Sequence, residues 1–413
     1  MRIIRYGVCS LIAFTVAAFG GVEWWGVATV EVGAAVLFLI WGALAIGRDY
    51  ADLQWNWLFF PMLGIAVLVG AQQIFGLSAY HYATKVEIVK GVAYLMLCFV
   101  VANTFRTSED RISFAWFLVT LSFIFALLGI AQRLTFDGKL YWLIPIPDGA
   151  EPFASFVNRD HFAGFVELTA PIGLALLFNR AHRSDKSPLL VLFTVISTVA
   201  LLLSGSRGGI VSFAVAVFVV AILSPQAFAK RRRLIGALSL GMVIVGVALW
   251  LGARSTIDRF AVTPEITITA NQRVTMDRGT WNIFLSHRWI GAGLGTLETV
   301  YPHFALSYDK RTVDHAHNDY LEFLAETGGA GGLLVLGFIA VLLTAGIWNL
   351  HSAHNASDRA FTAGGLAACA ALLVHSFVDF NLHIPSNTLL FLLLATLICS
   401  STSAQSRYDQ MVS

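Results

Sequence analysis

At 413 residues the chain has the length of two or three soluble domains, but its composition excludes them. It is 57% hydrophobic and 13% charged, with a mean hydropathy of +0.72, whereas roughly 25% charged is usual for a globular protein. A formal net charge of +2 is too small to point to nucleic acid. Apolar runs of about 20 residues, the length that crosses a bilayer, recur from end to end. The expected fold class is therefore all-α: a polytopic membrane protein of about twelve transmembrane helices. Cys9, Cys98, Cys369 and Cys399 all lie inside apolar runs. They read as small packed hydrophobes, neither an extramembrane staple nor a metal set.

In chain order, apolar runs and their breaks predict helices near 4–21, 26–46, 57–75, 88–105, 112–131, 162–178, 189–204, 209–224, 235–252, 329–348, 360–377 and 388–402. The first resembles a signal peptide but lacks a small-x-small cleavage site, so it reads as a retained helix. Lys and Arg of the short connections concentrate at one set of helix ends, among them Arg2, Arg5, Arg106, Arg111, Lys186, Arg359 and the run Lys230 to Arg233. By the positive-inside rule both termini are cytoplasmic. The long segment 253–328 then faces outward, where long loops are commonly functional. Within it, 274–288 and 315–326 carry helical spacing. A second outward connection, 132–161, holds Pro145, Pro147 and Pro152 and reads as a re-entrant or surface segment. Residues 1–150 are expected to be N-terminal membrane helices, 151–400 a core including the loop, and 401–413 a cytoplasmic tail.

Polar groups that could carry chemistry gather at the outer face. Ser204-Gly205-Ser206-Arg207-Gly208-Gly209 joins two helix ends. Arg207 there is either a snorkelling cation or an anion site where a lipid-borne phosphate would lie. Arg273 and Arg278 are five residues apart near the start of a loop helix. They read as a solvated face or as a diphosphate contact, for which the planar guanidinium fork is suited. The densest cluster runs from Asp314 to Glu322. His317 within it is suited to act as a general base near neutral pH, while the plain alternative is capping by Asp314 with exposed imidazoles. A zinc site on His315 and His317 needs two more ligands that no local pattern supplies, so no metal is assigned. Gly291-Ala292-Gly293-Leu294-Gly295 has no preceding strand, which argues against a dinucleotide loop and for a flexible turn. Two intramembrane groups complete the set. Glu167, beyond His161, is expected to pair with an arginine or to line a polar groove. His375 and Asp379 stand at i, i+4 and are placed to hydrogen-bond.

Several of these blocks resemble the O-antigen ligase and polymerase superfamily. They are Arg273 through Trp281, the glycine turn 291–295 and His317-Asn318-Asp319-Tyr320-Leu321 in the loop. Outside it, Phe156 to Gly164, Ser206-Arg207-Gly208 and His375 to Pro385 look like further family elements, so the resemblance spans roughly 150–400. It implies a GT-C-like helical fold and metal-independent, inverting transfer of a glycan at the periplasmic face of a bacterial inner membrane. The implied donor is a polyprenyl-diphosphate-linked glycan; the acceptor is a lipid, glycan or protein hydroxyl, and no cofactor is implied. Carried over by position, Arg207 and Arg273 would hold the diphosphate, with Arg278 as the alternative, and His317 would orient or deprotonate the acceptor. Asn318, His161, Glu167, His375 and Asp379 would support them. One departure is that Arg288-Trp289-Ile290, not a proline, precedes Gly291. The competing reading is a transporter or flippase of lipid-linked glycans, which would more often show repeat symmetry and broken helices at the midplane. A structural membrane subunit would leave the His-Asn cluster unexplained.

Overall fold

The computed structural model describes residues 1–46, 53–146, 150–181, 184–224, 264–306 and 313–401. Thirteen α-helices lie among them. The first eight are α1 (Arg2–Ala17), α2 (Trp24–Ile46), α3 (Phe59–Ile74), α4 (His81–Thr104), α5 (Ser108–Leu134), α6 (Arg159–Phe178), α7 (Ser187–Ser204) and α8 (Arg207–Leu223). They are followed by α9 (Pro264–Ser286), α10 (Leu297–Val300), α11 (Asp319–His351), α12 (Ala356–His375) and α13 (Pro385–Cys399). Eleven of the twelve expected runs coincide with helices. The ninth, 235–252, falls outside the described residues, as do Arg254 at the start of the loop and the tail from 402.

Among the described residues, six helices are long and apolar enough to cross a membrane: α2, α4, α5, α6, α7 and α11. The chain is thus a multi-pass membrane protein. Its outward surface agrees. Large apolar side chains such as Leu39 of α2, Phe218 of α8 and Leu333 and Leu336 of α11 are exposed along the helices, a costly arrangement in water and the expected one in lipid. Trp24, Trp57 and Trp348, at or beside helix ends, are exposed as well, as interfacial aromatics are.

The helix at the centre is α6. Every residue from His161 to Leu176 is buried, so α6 has no lipid face and can carry polar groups facing other helices. It packs against α5, α7, α8 and α12. The approach of α12 is close because Gly364 lies against the α6 backbone; a Cβ there would come within 2.8 Å of Ile172 Cα. Small residues at such crossings replace the hydrophobic drive that lipid removes.

Two expectations about the ends are revised. Arg111, read as a loop cation, is buried at 2% exposure, and its guanidinium donates to Phe105 O (3.3 Å) and Ser400 O (2.8 Å). It ties α5 to the end of α13 because two backbone carbonyls satisfy it where water cannot. The loop helix 315–326 and the span 329–348 are one element, α11, interrupted at Gly328, whose φ of 68° only glycine adopts easily. The connection 135–158 is a short antiparallel pair, Lys139–Leu140 with Ile144–Pro145, followed by the buried turn Phe153 to Phe156. Of its three prolines, Pro147 falls outside the described residues.

The α6–α12 crossing yields a stability test. Gly364→Leu forces these helices apart and lowers the thermal midpoint in detergent, by an amount equivalent to about 1–3 kcal/mol. Gly42→Leu, at a site with nothing within 4 Å of the added carbon, leaves it nearly unchanged. Equal shifts for the two would contradict the packing described.

Candidate functional site

The site lies where α6, α8, α11, α12 and α13 expose the ends opposite Arg111. Helix α7 stops at Gly205 in the left-handed conformation (φ 73°), and Ser206 Oγ accepts from Gly209 N at 3.0 Å to cap α8. Arg207 is the first residue of α8 and is exposed. A cation there opposes the helix macrodipole, a local cost that an anion at the same spot would reverse. Gly208 and Gly209 are required by close packing. A Cβ on Gly208 would stand 2.7 Å from His375 Nε2, and one on Gly209 would stand 2.5 Å from Ala163 Cβ.

Beneath them is a fully buried pair, with His375 Nδ1 3.0 Å from Glu167 Oε1. Glu167 thus meets a histidine instead of an arginine. His375 and Asp379 do hydrogen-bond at i, i+4, through the backbone, with Asp379 N donating to His375 O at 3.1 Å, while the His375 side chain turns to Glu167. The reason is directional. The His375 ring at the end of α12 reaches Glu167 of α6, whereas the chain then turns through Ser376 to Val378 and brings the Asp379 side chain to His317.

Asp379 there meets two imidazoles. His317 Nδ1 lies 3.2 Å from its Oδ1 and His161 Nε2 4.0 Å from its Oδ2. Burial alone would raise this carboxyl, but the hydrogen bond from His317 and the charges of His161, His375 and His317 outweigh burial and hold it at about 2. An ionised carboxylate only accepts, so Nδ1 of His317 carries a proton toward it, and in the neutral tautomer Nε2 is left with its lone pair. His317 itself has φ 51°, a left-handed conformation that histidine adopts more readily than most residues but still uncommonly. Asn318 is the N-cap of α11, its side chain accepting from Leu321 N at 3.1 Å. It fixes the direction in which His317 leaves the helix.

From the loop, Arg273 on α9 donates to Val378 O at 3.2 Å, one residue from Asp379. Asp277, one turn on, is raised by burial against the opposing charges of Arg273 and His317. Arg278 is exposed, and no contact ties it to this group among the described residues. Arg273 is thus the loop arginine brought to His317.

A second cluster, absent from the expected site, shares the ring of Phe380 with the first. Glu322 accepts from Ala316 N (2.8 Å), and its Oε1 lies 2.8 Å from His315 Nδ1 and 3.2 Å from His383 Nε2. Asp319 Oδ1 lies 2.9 Å from His383 Nδ1. Burial works against charge on His383, but Glu322 and Asp319 overcome it and place this imidazole at about 10. His315 stacks on Phe380 at 4.6 Å between centroids, while His317 and His161 meet the ring edge-to-face at 4.9 and 4.7 Å. The sequence signal for this cluster was the pair Asp319 and Glu322 in the first turn of a helix beginning beside two histidines. Its third member, His383, is remote in the chain.

The glycine turn 291–295 is packed, not flexible. Ala292 N and Gly293 N donate to Ala325 O and Glu326 O (3.0 Å each), and the Gln72 side chain donates to Ile290 O and Glu326 O. Cβ atoms on Gly291 and Gly293 would meet Glu326 O at 2.1 Å and Ser78 Oγ at 2.4 Å. These glycines let the loop dock on α3, α4 and α11, which fixes the base of the site.

Comparison with known families shows that residues 192–336 match a model described as O-antigen ligase. Over that stretch the chain is similar to the O-antigen ligase family. This supports its place in the O-antigen ligase and polymerase superfamily. The matched stretch, about a third of the chain, is narrower than the resemblance over 150–400. It includes Arg207, Arg273, Arg278 and His317, whereas His161, Glu167, His375 and Asp379 lie outside it. A comparison with curated proteins finds no match. This similarity points to an enzyme of the glycan-transferring kind, with a lipid-linked glycan and an acceptor as its partners in a membrane.

The state of Asp379 has a measurable consequence. Its folded value lies below the ordinary 3.8, so its stabilising contribution is complete above that pH and is lost as pH falls toward about 2. The thermal midpoint of the native protein should exceed that of Asp379→Asn by a steady margin near neutrality, and the margin should shrink below about pH 4. A margin unchanged on acidification would show that the imidazoles do not hold the carboxylate.

Proposed function

We propose that the chain transfers a glycan from a polyprenyl-diphosphate carrier to an acceptor hydroxyl at the periplasmic face of a bacterial inner membrane. The observation that carries the reading is the His317–Asp379 pair. In the neutral tautomer it leaves Nε2 of this partly exposed imidazole with its lone pair, near Arg273, at the end of the bundle where basic connecting residues are few.

In this reading Nε2 of His317 takes the proton from the acceptor hydroxyl as its oxygen attacks the anomeric carbon. The bond from that carbon to the diphosphate oxygen breaks on the opposite face, so the configuration inverts. Asp379 stabilises the imidazolium as it forms. The leaving diphosphate gathers negative charge, which Arg207 at the start of α8 and Arg273 on α9 offset. Arginine and helix dipole together can do this charge work without a catalytic metal. His161 and the Glu167–His375 pair hold Asp379 and the α8 N-terminus in place. The site opens at a membrane edge, which suits a donor whose polyprenyl tail stays in lipid. Termini on the cytoplasmic side follow from the charge bias of the connections.

The test uses purified protein in lipid with a polyprenyl-diphosphate oligosaccharide and a hydroxyl acceptor. His317→Ala should reduce kcat/KM by about 10²–10⁴-fold, the usual weight of a general base. Arg207→Ala and Arg273→Ala should each cost about tenfold or more, at one charge-assisted hydrogen bond apiece. Arg278→Ala should stay within a few-fold of native. Donor moving between leaflets with no product formed would replace this reading by a flippase. Unchanged transfer in His317→Ala would remove the assigned base. Ladders of product would identify a polymerase, and single adducts a ligase.

A further inference from the structure

His315, Glu322 and His383 are not used by the transfer reaction, and they bring three ligand atoms within 4.8 Å of one another. The two measured edges through Glu322 Oε1, 2.8 Å to His315 Nδ1 and 3.2 Å to His383 Nε2, approach the edge of about 3.3 Å that bonds of about 2.0–2.1 Å give a tetrahedron. The three side chains come from separate stretches of chain: the end of the outer loop, the first turn of α11, and the short 3₁₀ turn Asn381–His383 before α13.

Two features go beyond a group of ion pairs. Asp319 engages His383 Nδ1 at 2.9 Å and is itself fixed by Leu382 N at 3.0 Å, an outer carboxylate that selects the tautomer with Nε2 turned inward. The Ala316 N–H takes Glu322 Oε2 at 2.8 Å, which aims the other oxygen at the two imidazoles. His315 keeps a side-chain exposure of 30%, so a further coordination position faces outward. Two nitrogens with one carboxylate oxygen suit a borderline dication better than calcium or magnesium, which take oxygen shells.

We propose that His315, Glu322 and His383 bind one dication of the zinc type, with Asp319 as the outer partner, clamping the start of α11 to the α12–α13 connection. The cation takes the place of the proton on His383 Nε2, and the charges of Glu322 and Asp319 balance it. Its ligand His315 and the base His317 both pack on Phe380, so the cation holds the segment that carries His317 and takes no part in the transfer chemistry. The inference goes beyond the transferase reading and survives that reading's failure.

Full-length protein in detergent, stripped with chelator and titrated with Zn²⁺ alone, tests it. About one equivalent should stay bound through gel filtration and raise the thermal midpoint, while Mg²⁺ should not replace it. His383→Ala and His315→Ala should each weaken binding at least about tenfold, and Asp319→Asn about 10–100-fold. His315→Ala removes the most exposed ligand, so it tests binding in a protein that still folds. No stoichiometric zinc, or zinc retained equally by His315→Ala and His383→Ala, overturns the proposal and leaves an ion-pair cluster.

Discussion

The carboxylate of Asp379 joins parts of the chain that otherwise have little reason to meet. His317 belongs to the end of a long loop, His161 to the most buried helix, and Asp379 to the turn between the last two helices. One oxygen of this side chain holds the outer imidazole of His317 at 3.2 Å, and the other stands 4.0 Å from the core imidazole of His161. Because the group is buried, its charge would be costly without these partners, and with them it stays ionised. The reactive geometry of His317 therefore depends on helix packing well below it.

That packing depends in turn on small residues. Gly364 brings α12 onto α6, and Gly208 and Gly209 bring α8 onto His375 and Glu167. A methyl group at any of these places would push on groups that position Asp379 or Arg207. The docked turn 291–295 does the same for the loop, and Arg111 does it at the opposite end of the bundle. Rigidity at the site is thus assembled from close backbone approaches, which suits a reaction that needs a base and two cations held around a substrate entering from lipid.

Much of the fold was legible in the sequence because lipid imposes a length and a polarity on each helix. The run ending at Ser204 and the next, expected from 209 and found from Arg207, needed little more than hydropathy and a Ser-Gly-Ser turn. The site was legible only in part. Arg207, Arg273 and His317 stood out as charged or titratable groups at one face. Which side-chain partners they and their neighbours take depends on contacts between distant segments: His375 and Asp379 at i, i+4 are joined through the backbone, yet each side chain found its partner on another element. His383 went unassigned for the same reason, since Glu322 and Asp319 lie some sixty residues away. Helical spacing describes one face of one helix, and this site is built between helices.

The coupling of His317 to Asp379 is measured by a double-mutant cycle on kcat/KM for glycan transfer. If Asp379 acts by orienting His317 and stabilising its protonated ring, Asp379→Asn should slow the native enzyme strongly. It should then add almost nothing in a His317→Ala background. Losses that simply multiply would mean that the two residues act independently, and would contradict a base held and tuned by Asp379.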